Sequence, residues 1–170
     1  MKQTALKPVL LAAAIAVVLG AGALVTLGTA PSAAPVSQFV LLDGSKKSTA
    51  DLQGRVTLVN FWATSCTTCV AEMPLLASTY DKYHAKGFDT LAVAMSYDLP
   101  NYVVNFAQTR KLPFQVAIDN TGAVAQAWGD VKLTPTSYVV NKRGQIVKRY
   151  VGSPDEAELH QLIEKLLAEA

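Results

Sequence analysis

Two cysteines, Cys66 and Cys69, are the only ones in the 170 residues, and two positions separate them. They follow a β-branched apolar run from Val56 to Phe61 and precede a stretch of good helix formers. The pair therefore sits where a strand hands over to a helix. The first turn of a helix carries unpaired N–H groups and the positive end of the macrodipole, and both favour a thiolate over a thiol. In Cys-x-x-Cys motifs the first thiol is typically acidified to a pKa of roughly 3.5–7, and the thiolate is the reactive species. Two thiols at this spacing can close a disulfide within one helical turn and open it again. The stretch reads as a redox centre.

Residues 1–8 carry Lys2 and Lys7, and a charge-free run of Ala, Leu and Val extends from Val9 to about Gly28. About twenty apolar residues suffice to cross a bilayer as a helix. The next basic residue is Lys46, so the positive-inside rule keeps the N-terminus cytoplasmic and exports the rest. A cleaved signal peptide, with a core at 9–19 and a cleavage site at Ala21-Gly22-Ala23, is the competing reading. The run continues through Leu24, Val25 and Leu27, and the later small-residue sites at Ala30 and Ala34 each precede a proline. The length favours a retained anchor in the inner (cytoplasmic) membrane, with the catalytic domain periplasmic or otherwise extracytoplasmic. No cysteine lies near this segment, which excludes a lipoprotein anchor.

Residues 29–37 are Ala/Pro/Ser-rich and read as a tether. Residues 38–170 are enough for one domain with its own core. Removing Lys2 and Lys7 from the 15 Lys and Arg leaves 13, against 13 Asp and Glu. A formally neutral exported part gives no footprint for nucleic acid.

Within the domain, Phe39 to Leu42 reads as a short strand ended by the turn Asp43-Gly44, and Ser48 to Leu52 as its return. Arg55 to Phe61 is a central strand whose near-continuous apolar character suits burial on both faces. A helix from Cys66 to about Lys86 ends at Gly87 and contains Pro74, which removes one backbone hydrogen bond and predicts a kink. Asp89–Met95 is a second buried strand, 101–111 a helix, 115–118 a strand and 123–128 a short helix. Strands at 136–140 and 145–151 are joined by the tight turn 141–144. Ser153 is the expected cap of a last helix with Pro154 at its first position and an apolar stripe of Leu159, Leu162, Ile163, Leu166 and Leu167. This β-α-β-α-β-α-β-β-α order predicts an α/β mixed sheet with helices on both faces, preceded by a β-hairpin.

A purely structural disulfide between Cys66 and Cys69 would close so short a loop that it gains little. A zinc site would need two further ligands, and His84 and His160 are isolated, which suits surface positions on helices. A thiol-based copper chaperone for an exported metalloprotein is the alternative function, because soft thiolates suit Cu(I); no Met or His cluster supports it. A peroxidase pattern Pro-x-x-x-Thr-x-x-Cys would need Pro at Val59 and Thr at Ala63. Trp62 reads equally as a substrate-facing ring or a packing residue. Trp128 reads as core beneath the loop leading to Pro135. Glu72, three residues after Cys69, lies on the same helix face as that cysteine and is placed to take its proton. The bland reading is an acidic residue favoured by the helix dipole.

The stretch Phe61-Trp62-Ala63-Thr64-Ser65-Cys66-Thr67-Thr68-Cys69, with Pro74 and Thr134-Pro135-Thr136-Ser137-Tyr138-Val139-Val140, resembles the thioredoxin superfamily. The N-terminal anchor, the hairpin at Phe39–Leu42 and the pattern Cys66-x-x-Cys69-x-x-Glu72-x-Pro74 are similar to its membrane-anchored TlpA/ResA-like thiol–disulfide oxidoreductases. The likeness covers about Val36 to Ala170. It implies a thioredoxin-like fold and no cofactor. It gives Cys66 the attacking role and Cys69 the resolving one, with Glu72 an acidic residue close to it. Pro135 matches a cis-proline facing the disulfide, and Thr134 a residue whose backbone pairs with substrate. It further implies exported protein disulfide substrates, such as those met in cytochrome c or copper-site maturation, and recycling by a membrane electron donor. Two departures stand out: Thr67-Thr68 lacks the proline common between the cysteines, and Asn60 stands where thioredoxin has a buried aspartate.

Overall fold

A computed structural model describes residues 31–169. The expected anchor at 9–28 lies outside the described residues, and among these no helix is long and apolar enough to cross a membrane. The elements run in order as β1 (Ser32–Ala33), β2 (Gln38–Val40), β3 (Lys46–Ser48), a 3-10 turn (Thr49–Leu52), β4 (Val56–Trp62) and α1 (Thr67–Tyr83). There follow β5 (Phe88–Ala94), α2 (Pro100–Thr109), β6 (Gln115–Ile118), α3 (Ala123–Ala127), β7 (Thr136–Val140), β8 (Gln145–Val151) and α4 (Glu156–Ala168).

Six strands form one mixed sheet in the order β1-β8-β7-β4-β5-β6. β4 pairs parallel with β5 and antiparallel with β7, and all seven of its residues are buried. Its alternation supplies two cores, as a strand period of two requires. Val56, Leu58 and Trp62 face a core shared with α1, α2 and α4, whereas Val59 and Phe61 face one with α3 and the hairpin β2–β3. The hairpin joins the sheet through a bridge from Leu41 to Ala117. Its return strand is Lys46–Ser48, and the expected return at 48–52 is a 3-10 turn capped by Ser48 and Asp51. Asp51 holds the Ser48 N–H and hydroxyl, each at 2.7 Å, and so turns the chain out of the strand.

Two further expectations are corrected. Part of the tether is a strand: Ser32 and Ala33 pair with Ile146 and Gln145 on the sheet edge, and Ala34 is buried. The cap of α4 is Asp155, whose carboxylate accepts from the Glu158 N–H at 2.9 Å, and not Ser153. Its stripe is as expected, with Leu159, Ile163 and Leu166 buried and Leu162 and Leu167 partly so.

Candidate active site

β4 ends at Trp62, and the turn after it is held by two neighbours. Cys66 N–H donates to the Ala63 carbonyl at 3.2 Å. The buried carboxylate of Asp98 accepts from the Thr64 N–H and the Thr64 hydroxyl, both at 2.6 Å. Cys66 is thereby fixed as the N-cap of α1, where its sulfur accepts from the Cys69 N–H at 3.1 Å. The two sulfurs are disulfide-bonded, with Cα atoms 5.2 Å apart. Cys66 is half-buried and Cys69 is fully buried. The spacing 66–69 thus yields one reachable sulfur at the positive end of a helix and one shielded behind it.

The loop before β7 supplies the opposing wall. The Thr134–Pro135 peptide bond is cis, and the Thr134 carbonyl oxygen lies 3.5 Å from the Cys66 sulfur. Pro135 is buried, and its carbonyl accepts from Gly152 N–H at 2.8 Å, which ties the loop to the end of β8. Thr134 is half-buried beside the sulfur.

Behind Cys69 lies a buried polar group that the sequence reading saw only in part. On α1 the buried positions are Cys69, Glu72, Met73, Leu76, Thr79 and Tyr83, a helical stripe facing the sheet. Glu72 therefore shares Cys69's face, and only 3% of it is exposed. The Asn60 amide on β4 donates to Glu72 Oε1 at 2.7 Å and to the Ser137 hydroxyl at 2.9 Å. Glu72 Oε2 has no hydrogen-bond partner among the described residues. Burial pushes the Glu72 pKa above its ordinary 4.5; the Ser153 hydroxyl, outside full hydrogen-bond geometry, and the Asn60 amide oppose that rise. The group has one oxygen held and one free, so it can take a proton inside the protein. Asn60 was legible as a departure at a buried position, whereas its partnership with Glu72 and Ser137 depends on three separate elements.

Trp62 is corrected. It is fully buried, with its ring 5.1 Å from that of Phe106, because position 62 points into the α1/α2 core. It packs and does not face a substrate. Trp128 is core as expected, between Phe39, Phe61 and Tyr138. Neither histidine joins the cysteines: His84 stacks on Tyr80 and contacts Arg55, and His160 meets Thr79 at 3.0 Å. The residue that sequence reasoning missed is Asp98, whose only sequence signal was an acidic side chain in the loop just past a buried strand.

The redoxin family profile matches residues 29–165. Thiol-disulfide oxidoreductase ResA of Bacillus thuringiensis subsp. konkukian is 33% identical over 126 residues, covering 74% of this chain and 71% of its own. ResA of Bacillus subtilis is 32% identical over 124 residues, covering 72% and 68%. Among solved structures, a thioredoxin candidate from Neisseria meningitidis superposes with a TM-score of 0.75 at 42% identity, covering 81% of this chain and 91% of its own. A thiol:disulfide interchange protein of the thioredoxin family from Chlorobium tepidum gives 0.73 at 26% identity, covering 81% and 97%. With a reachable and a shielded sulfur on a helix N-terminus, a cis-proline opposite and a buried carboxyl behind, the chain belongs to the redoxin family of the thioredoxin superfamily and is a ResA-like thiol–disulfide oxidoreductase.

Proposed function

We propose that the protein is an exported, membrane-tethered reductant of protein disulfides, working on targets such as those of cytochrome c or copper-site maturation. The observation that carries the reading is the Cys66 sulfur, half-buried and 3.5 Å from the Thr134 carbonyl, with Cys69 fully buried behind it. The Cys66 thiolate attacks one sulfur of a substrate disulfide; that S–S bond breaks, a mixed disulfide forms, and the first substrate thiolate leaves. The Cys69 thiol gives its proton to the free oxygen of Glu72, and its thiolate attacks the Cys66 sulfur. The second substrate sulfur leaves as a thiolate and is protonated, and Cys66–Cys69 closes, so two electrons have passed to the substrate. A membrane electron donor returns two electrons to reopen the disulfide.

The apolar, charge-free run at 9–28 supports the tether, and the lysines on its N-terminal side alone support export of the domain. Equilibration of the Cys66/Cys69 couple against glutathione tests the direction. A potential below that of the glutathione pool makes it a reductant, whereas a value well above makes it an oxidant; about 30 mV corresponds to roughly 1.4 kcal/mol. Carbonate extraction of membranes tests the tether: the protein stays in the pellet, and a soluble product whose mass begins near Leu24 or Pro31 contradicts it.

A further inference from the structure

The exchange uses Glu72 and leaves Asp98, a second buried carboxylate, without a chemical part. Asp98 is 6% exposed and pairs with no cation among the described residues. Backbone bonds fix its place. The Met95 N–H donates to the Trp62 carbonyl at 2.9 Å, which ties the loop after β5 to the end of β4, and the Asp98 N–H donates to the Met95 carbonyl at 3.0 Å. The carboxylate then meets Thr64, two residues before Cys66. The bond from Cys66 N–H to the Ala63 carbonyl closes a tight turn there. With consecutive Cα atoms about 3.8 Å apart, the charge stands within about 10 Å of the Cys66 sulfur.

The clamp on Thr64 does not by itself call for a charge. An amide at position 98 would hold the same turn, its oxygen accepting from the Thr64 N–H and its N–H donating to the Thr64 hydroxyl oxygen. A buried carboxylate without a cation is the costlier choice. What the charge changes is the neighbouring sulfur. Cys66 caps α1, where the helix dipole and free N–H groups favour a thiolate. A fixed negative charge beside it disfavours that thiolate. Asp98 also takes up the Thr64 N–H and hydroxyl, two donors that an anionic sulfur would otherwise attract.

Few other charges face Cys66. The first turn of α1 carries none, and Glu72 lies behind Cys69. The phenols of Tyr97 and Tyr102 share a cleft with Asp98. On the loop leading to Pro135, Lys132 is committed to Asp130 at 2.9 Å, and Arg149 of β8 lies over the Tyr138 ring. Reduction of the disulfide takes two electrons and, above the pH at which Cys66 ionises, one proton, giving a Cys66 thiolate and a Cys69 thiol. The disulfide carries no charge for Asp98 to oppose. A penalty on the thiolate therefore falls on the reduced state alone.

We propose that Asp98 lowers the reduction potential of the Cys66/Cys69 couple by setting its charge against the Cys66 thiolate. It touches neither sulfur and is a positioning residue, acting through the Thr64 turn. The inference rests on the thiol–disulfide reading of the two cysteines and names what in this chain biases it toward reduction.

The test equilibrates the full-length protein with glutathione buffers across pH and reads the oxidised fraction by alkylation. Asp98→Asn is expected to favour the reduced form about tenfold at alkaline pH, the effect of one charge at that range, or about 30 mV. Its Cys66 should ionise about one pH unit lower, read by thiolate absorbance. The gap should close at acid pH, where Cys66 keeps its proton in every variant. Asp98→Ser, neutral and small, should show the same gap and serves if the amide variant does not fold. Thr64→Val loses a clamp bond and keeps the charge, so its potential should stay parental. Equal potentials for parental protein and Asp98→Asn at every pH overturn the proposal. So does a gap that ignores pH, or Thr64→Val moving as far as Asp98→Asn. A parental potential above the glutathione pool, with the gap intact, upholds the role of Asp98 and overturns the reductant reading alone. No exchange with glutathione at any pH removes the redox reading and the tuning with it.

Discussion

The Asn60 amide donates a 2.7 Å hydrogen bond to the carboxyl of Glu72, and both side chains are buried. The bond crosses from the central strand to the redox helix and fixes one oxygen of Glu72 while the other stays free. Where an aspartate at position 60 would place two carboxyls in one apolar space, an amide serves as donor. Asn60→Ala removes donors to both Glu72 and Ser137, and urea denaturation should show a loss of about 1–3 kcal/mol, as for a buried group left unpaired. Asn60→Asp should raise the apparent pKa of the site further, because like charges so close do not both ionise.

Glu72→Gln separates the two chemical steps. First attack by Cys66 should proceed at close to the parental rate, since that sulfur faces Thr134 and not Glu72. Resolution of the mixed disulfide should slow by about 10²-fold, the lower range for loss of a general base. Stopped-flow measurement across pH should show parental resolution rising as pH passes the elevated Glu72 pKa, and the variant should lack that limb. Resolution at the parental rate at every pH would leave Glu72 a helix residue only.

The same carboxyl makes stability depend on pH with a defined sign. Its folded pKa is raised above the ordinary 4.5 by burial, so the native state holds its proton longer than the unfolded chain does. Its contribution is fully present below 4.5 and is lost as pH rises through the folded value. Glutamine does not ionise. The melting temperature of oxidised Glu72→Gln minus that of the parental protein should therefore rise between pH 4 and pH 8, and a difference that is constant or falls contradicts the buried-carboxyl assignment.

The turn before Cys66 rests on Asp98. Thr64→Val removes only the hydroxyl bond and should cost roughly 0.5–1.5 kcal/mol, whereas Asp98→Ala strips the Thr64 N–H as well and should cost more, about 1–3 kcal/mol. Equal unfolding midpoints for Asp98→Ala and the parental protein would show that the clamp does not hold the turn.

What was legible in the sequence was whatever one segment's own pattern determines. The apolar runs gave β4 and β5, the tight turn at 141–144 marked β7 and β8 on either side of it, and the 66–69 spacing placed both sulfurs on one helical turn. Glu72 was legible through the same helical period. What escaped depends on partners distant in the chain. Ser32–Ala33 has no apolar pattern and becomes a strand only through backbone pairing with Gln145 and Ile146. Asp98 acquires its role from Thr64, 34 positions away. Trp62 was ambiguous because an aromatic at a strand end suits either face of the boundary, and its direction is set by packing on Phe106. Ser153 and Asp155 are both good caps by type; the backbone at Asp155 decides between them, by aiming its carboxylate at the Glu158 N–H.

In the proposed exchange Cys66 attacks and Cys69 resolves. Cys69→Ser and Cys66→Ser variants, incubated with an oxidised protein substrate and quenched with alkylating agent, test it directly on non-reducing gels. Cys69→Ser should accumulate a mixed disulfide that dithiothreitol releases, because the half-buried Cys66 sulfur can attack and nothing behind it completes the exchange. Cys66→Ser should trap little, since the remaining sulfur is fully buried. Equal trapping by the two variants, or trapping by Cys66→Ser alone, would contradict the account.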